Sequence, residues 1–146
     1  MNMRAISPVI ATVIIVSVAI AIAVAVAFWM TGITGLFTRY EKLEVISAYA
    51  TGSESAGWTV VLEVRNTGTT DVTIDEIFIN GKPYNEWSEV SLTGTVTSLP
   101  EPLPTGESRT IKISIGSGSG FKSGQIVEIK VHTAAGNEYP KSVQLP

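Results

Sequence analysis

The chain has 146 residues, a formal net charge of −3, one histidine and no cysteine. Disulfides and thiolate metal sites are therefore excluded, a lone His gives little to build a His-based metal centre or a Ser-His-Asp triad on, and the acidic balance shows no basic patch for nucleic acid. The hydrophobic residues, 45% of the chain, are crowded into its first quarter, and the remainder is rich in Thr, Ser and Gly, about the size of one small domain.

Residues 5–38 carry no charged side chain, and Val9 to Met30 is almost entirely Ile, Val and Ala. As a helix rising ~1.5 Å per residue, the uncharged run extends roughly 50 Å. A bilayer core is only ~30 Å thick and is crossed by about 20 apolar residues. Ser7 is a suitable N-cap, Pro8 suits the first helical position, and the next proline is Pro83. One continuous helix is expected to about Thr31, with Gly32 and Gly35 absorbing a turn at its end. The Ala alternation from Ala19 to Ala27 also fits a strand period, but an isolated strand cannot satisfy its backbone in lipid.

On a helix that alternation sorts residues by size. Ala19, Ala23 and Ala27 form one i, i+4 ridge, with Ala21 and Ala25 on roughly the opposite side. Ile20 with Val24, and Ile22 with Val26, make bulky ridges between them. Small residues let backbones approach, and bulky ridges fill a neighbour's grooves. Ile10, Val13, Ile14, Ala19, Ile20, Ala23, Val24, Ala27 and Phe28 are the candidate packing residues of a bundle of such stalks. A helix apolar all round must be covered all round, by lipid or by copies of itself.

The start of the chain does not read as an ordinary secretory signal. Its apolar run is too long, and no Ala-x-Ala site separates it cleanly from the body of the chain. The basic and small residues come before the run, as Arg4-Ala5, so the hydrophobic segment is expected to stay and only a short leader to be removed. Arg4-Ala5-Ile6-Ser7-Pro8-Val9-Ile10-Ala11-Thr12-Val13-Ile14 resembles the N-terminus of archaeal type IV pilins. The resemblance implies a prepilin peptidase that recognises Arg4, Ala5 and Ile6 and cuts after Ala5. It divides the chain into a leader (1–5), a stalk helix (6–38) and a head (39–146). Bacterial relatives place Glu five residues into the mature chain, where this one has Ile10. Arg4 and the α-amino group orient the N-terminus inside and the head outside.

From Lys42 onward the pattern becomes short alternating runs between turn signals. Strands are expected at 42–50, 58–65, 72–79, 90–96, 111–115, 127–131 and 138–145. The apolar phase shifts between Ile74 and Ile77, which calls for a bulge near Asp75-Glu76. Asn66-Thr67-Gly68 is a turn, Asn80-Gly81 a hairpin signal, and Gly116 to Gly120 a flexible loop. Pro100 to Pro104 reads as a stiff surface connection. The fold class is α+β: a long hydrophobic helix, then an all-β sandwich of about seven strands. The phrases Val-Arg-Asn-Thr-Gly (64–68), Ile-Phe-Ile-Asn-Gly (77–81) and Gly-Gln-Ile-Val-Glu-Ile-Lys-Val-His-Thr-Ala-Ala-Gly-Asn-Glu-Tyr (124–139) resemble the immunoglobulin-like heads of archaeal surface and pilin proteins.

No catalytic constellation stands out in the head, and no cofactor is expected. His132 falls on the outward phase of its strand and reads as a solvated residue. Asp71, Asp75 and Glu76 lack the spacing of a Ca²⁺ loop. None of Asn66, Asn80, Asn85 and Asn137 opens an Asn-x-Ser/Thr sequon. Trp58 reads as core; Trp87, with Tyr84 and Tyr139, is the candidate for an exposed aromatic patch. The resemblance implies a non-enzymatic major pilin of a cell-surface filament serving adhesion. Its partners would be copies of itself, the membrane before assembly, the peptidase, and an assembly platform with its ATPase. The alternative is a single-pass anchored protein, a minor pilin or anchor whose head binds a partner outside the cell.

Overall fold

The computed structural model describes residues 6–146. The chain divides between Arg39 and Tyr40 into two compact units, the first helical and the second built of strands.

The first unit is one helix, α1, Ile6–Phe37. Ser7, expected just ahead of the helix, lies within its first turn beside Pro8, whose missing N–H has no helical partner to lose there. At the other end the helix continues past Thr31 to Phe37, through both Gly32 and Gly35. Each glycine costs only ~1 kcal/mol relative to alanine, too little to stop a helix whose next turn satisfies further backbone groups. Hydroxyls in that stretch bond back to the helix: Thr31 Oγ1 donates to the Ala27 carbonyl at 2.6 Å and Thr34 Oγ1 to that of Met30 at 2.7 Å. The Thr38 N–H closes the last turn on the Thr34 carbonyl at 3.2 Å.

The second unit holds nine strands among the described residues: β1 Leu43–Ser53, β2 Gly57–Asn66, β3 Val72–Ile79, β4 Lys82–Pro83, β5 Val90–Thr93, β6 Glu101–Leu103, β7 Ser108–Ile115, β8 Ile126–Thr133 and β9 Glu138–Gln144. All pairings are antiparallel. One sheet has the order β1-β2-β7-β5 and the other β4-β3-β8-β9, with β6 also paired to β3. The strands beyond the expected seven are β4 and β6, two and three residues long.

β6 corrects the reading of Pro100 to Pro104 as a surface connection. Its residues pair with β3 (Thr73 opposite Pro102), and Leu103 is fully buried. A proline is tolerated there because β6 is a short edge strand, where a missing donor costs no ladder bond on the open side. Arg109 of β7 reaches Glu101 of β6 at 3.3 Å and Glu107 at 3.0 Å, and the hydrogen bond that its guanidinium donates to Glu101 raises its already high pKa further.

Alternation decides which residues fill the sandwich. Trp58, Val60 and Leu62 of β2 lie opposite Ile115, Ile113 and Ile111 of β7, and all six are buried. Ile77 and Ile79 of β3 face Val131 and Ile129 of β8 in the same way. The expected bulge is present as a register shift between Ile74 and Glu76, which keeps Ile74 and Ile77 both inside. Buried residues of both sheets form one apolar cluster. Asn80 and Gly81 take φ values of 50° and 80°, the left-handed pair that a type I′ hairpin turn requires, and the turn links β3 to β4.

Candidate assembly surface

α1 is the feature that the head's chemistry does not explain. Between Ser7 and Leu36 it is long and apolar enough to cross a membrane, and its apolar residues are spread evenly around the axis. Every side chain in that span is exposed except the half-buried Ile33. Fifteen large apolar side chains from Val9 to Leu36 are among them. At ~1–2 kcal/mol each, leaving them in water costs on the order of 20 kcal/mol, more than the whole stability of a typical domain. Such a surface is covered in the working state of the protein.

The polar atoms of the helix suit a dry environment. Thr12 Oγ1 donates to the Val9 carbonyl at 2.8 Å and Ser17 Oγ to that of Val13 at 2.7 Å, as Thr31 and Thr34 do further along. A hydroxyl bonded to its own helix requires no partner from lipid or from a neighbour. Thr12, Val13, Val16 and Ser17 also line a shallow notch on the helix surface.

All the candidate packing residues lie on this one helix. The bulky ones among them, Ile10, Val13, Ile14, Ile20, Val24 and Phe28, are all exposed, Phe28 the most of these six at 76%. Ala19, Ala23 and Ala27 are likewise exposed. Because the helix does not stop at Thr31, the small-residue column continues at the same spacing through Thr31 to Gly35. The column therefore spans 17 residues, about 24 Å. Thr31 stands at the expected end of the continuous helix and Gly35 in the expected turn, so neither is among the candidate packing residues. The proposed peptidase residues Arg4 and Ala5 lie outside the described residues, and Ile6 is the first of those described.

The candidate residues of the head are drawn into its structure. His132, expected to be solvated, is half-buried: its Nδ1 lies 2.6 Å from Asp75 Oδ1, and Phe78 meets the ring edge-on. The bulge next to Asp75 turns that carboxylate across the face of the sheet, which the strand period alone does not reveal. Asp71 is occupied as well, accepting from the Thr105 N–H at 3.0 Å. Among the described residues no group of three or more His, Asp or Glu stands close enough to hold a metal.

Trp87 is not the open aromatic platform it was expected to be. One face packs on Phe121 at 4.9 Å, Lys82 Nζ sits 5.3 Å from the ring centre, and Nε1 donates to the Ile79 carbonyl at 3.2 Å. Tyr84 and Tyr139 pack partly against the same core. Trp58 is core, as expected, and its Nε1 donates to the Pro146 carbonyl at 3.0 Å.

No protein-family model and no curated protein matches the chain. Solved structures do resemble it. The archaeal flagellum of Methanospirillum hungatei strain JF1 is 16% identical, with 99% of this chain and 93% of that one covered at a TM-score of 0.53. The archaellum periplasmic stator protein FlaG from Sulfolobus acidocaldarius is 26% identical over 70% of this chain and 99% of its own, with a TM-score of 0.48. The Iho670 flagellar-like filament is 14% identical over 94% and 98%, with a TM-score of 0.41. The first likeness establishes a shared fold, over nearly the whole chain; the two weaker superpositions carry no argument. The structure whose fold this chain shares is an archaeal flagellum, aligned along 99% of this chain.

Proposed function

We propose that this chain is a major structural subunit of an archaeal surface filament of the type IV pilus kind, polymerising through α1 and serving adhesion. The observation that carries the reading is α1 itself: apolar on every side, exposed from Ser7 to Leu36 except at the half-buried Ile33, and bonded within itself at its hydroxyls. The likeness of the entire chain to an archaeal flagellum supports it, as does the resemblance of residues 4–14 to a pilin N-terminus.

In this reading the precursor rests in the membrane by α1, and a peptidase removes residues 1–5. The helix then moves from lipid into a bundle of identical helices. Its apolar surface stays dry on both sides of that exchange, so the hydrophobic cost of leaving lipid is small. Such contacts are heterologous and do not close, which gives a filament rather than a ring. The Ala19-to-Gly35 column admits a neighbouring backbone, and the ridge of Ile20, Val24 and Phe28 fills the groove beside it. The chain has no phosphate-binding loop motif, so the motor and platform are separate proteins.

N-terminal sequencing and mass spectrometry of filaments sheared from the cells test this reading. A dominant chain beginning at Ile6 is the expected result. An intact Met1 chain in filaments would retain the polymer and remove the peptidase step. Recovery only from membranes would replace the filament subunit with a single-pass anchored protein.

A further inference from the structure

The head begins with a strap. Tyr40 to Lys42 precede β1 and lie against the loop that joins β2 to β3. Thr67 N–H and Gly68 N–H both donate to the Lys42 carbonyl, at 2.9 and 3.1 Å, and Thr69 N–H donates to the Tyr40 carbonyl at 3.0 Å. The Tyr40 N–H donates to Thr69 Oγ1 at 3.0 Å, and Thr70 Oγ1 donates to the Tyr40 carbonyl at 3.3 Å. The approach leaves no room for a side chain: a Cβ on Gly68 would come within 2.7 Å of both Lys42 N and Tyr40 O.

The loop that receives the strap is itself fixed from below. Asn66 is fully buried, and its Oδ1 accepts the Gly68 N–H at 3.0 Å. Its Nδ2 donates to the Thr70 carbonyl at 2.8 Å and the Leu103 carbonyl at 3.0 Å. The strap is thereby connected through Asn66 to β6, and β6 is paired to β3 of the other sheet. Any pull on the head from its N-terminal side arrives first at Tyr40. A strand held at its end only by its own ladder opens one hydrogen bond at a time. Here the strap's bonds to the β2–β3 loop must break before β1 can begin to peel from β2.

We infer that the contact of Tyr40–Lys42 with Asn66–Thr70 is a lock that keeps β1 from opening at its N-terminal end. The lock belongs to the head alone and does not depend on how α1 is used.

Limited trypsin digestion of the full chain in detergent micelles, with fragments read by mass spectrometry, tests it. Arg39 lies just outside the strap, Lys42 within it, and exposed Lys122 in a distant loop serves as the reference. The native chain should resist cutting after Lys42. Thr69→Val, which removes the hydroxyl that Tyr40 uses, should speed cutting there about tenfold and leave cutting after Lys122 unchanged. Gly68→Ala should do the same more strongly. Native cutting after Lys42 as fast as after Arg39 would overturn the lock. An unchanged rate after Lys42 in Thr69→Val would do so too, and so would equal acceleration at Lys42 and Lys122, which reports general loosening of the fold.

Discussion

The side-chain amide of Asn66 holds three backbone groups that the two sheets leave over, and it does so from a fully buried position. A buried amide is costly unless its bonds are made, so its removal leaves several groups unpaired at once. Asn66→Ala should destabilise the head by roughly 3 kcal/mol, about 1 kcal/mol per bond. Thr67, the next residue, gives the opposite case: its Oγ1 is buried and has no hydrogen-bond partner among the described residues. Thr67→Val keeps the shape and removes the orphan, so a gain of about 1 kcal/mol is expected. Urea unfolding followed by tryptophan emission measures both. These two side chains were not legible in the sequence, where Asn66-Thr67-Gly68 carried only the signature of a turn. The same holds for the Asp75–His132 pair, because a bulge displaces a side chain in a way no alternation pattern records.

At the scale of elements, period and turn chemistry carried most of the reading. The alternation of β2, β7 and β8 named core residues that are buried in the structure, and the phase slip between Ile74 and Ile77 located the bulge. β6 was hidden because Pro100, Pro102 and Pro104 argue against a strand, and only tertiary pairing at an edge overrides that preference. The turn expected at Gly32 and Gly35 is absent because the cost of a glycine is modest when the helix on either side continues. A Cβ at Gly32 or Gly35 meets nothing within 4 Å in the single chain. Gly32→Ala should therefore raise the helix's own stability by ~1 kcal/mol, seen as a higher midpoint for loss of helical circular dichroism in micelles. The same holds for Gly35→Ala in the isolated chain. If Gly35 belongs to a contact column between copies, that second variant should assemble poorly while its isolated helix is more stable.

For the whole molecule, two different kinds of stability meet in one chain. The head encloses its own apolar cluster, whereas α1 leaves its apolar surface outward and draws its stability from whatever surrounds it. A charge on α1 should therefore act on membrane residence and assembly and spare the head. Ala23→Lys should abolish filaments and leave the urea midpoint of the head unchanged, because an uncompensated ammonium between packed helices has no partner. That α1 is apolar all round was legible because hydrophobicity without a polar face is a composition-level signal. Which side meets which neighbour was not, because an evenly apolar helix names no preferred direction. The most direct test of polymerisation through α1 is a helical reconstruction by electron cryo-microscopy of filaments sheared from the cells. The account predicts a core of closely packed copies of α1 from Ile6 to Phe37, with β heads on the outside. Filaments whose density cannot hold this chain, or whose copies of it meet only through their heads, would contradict it.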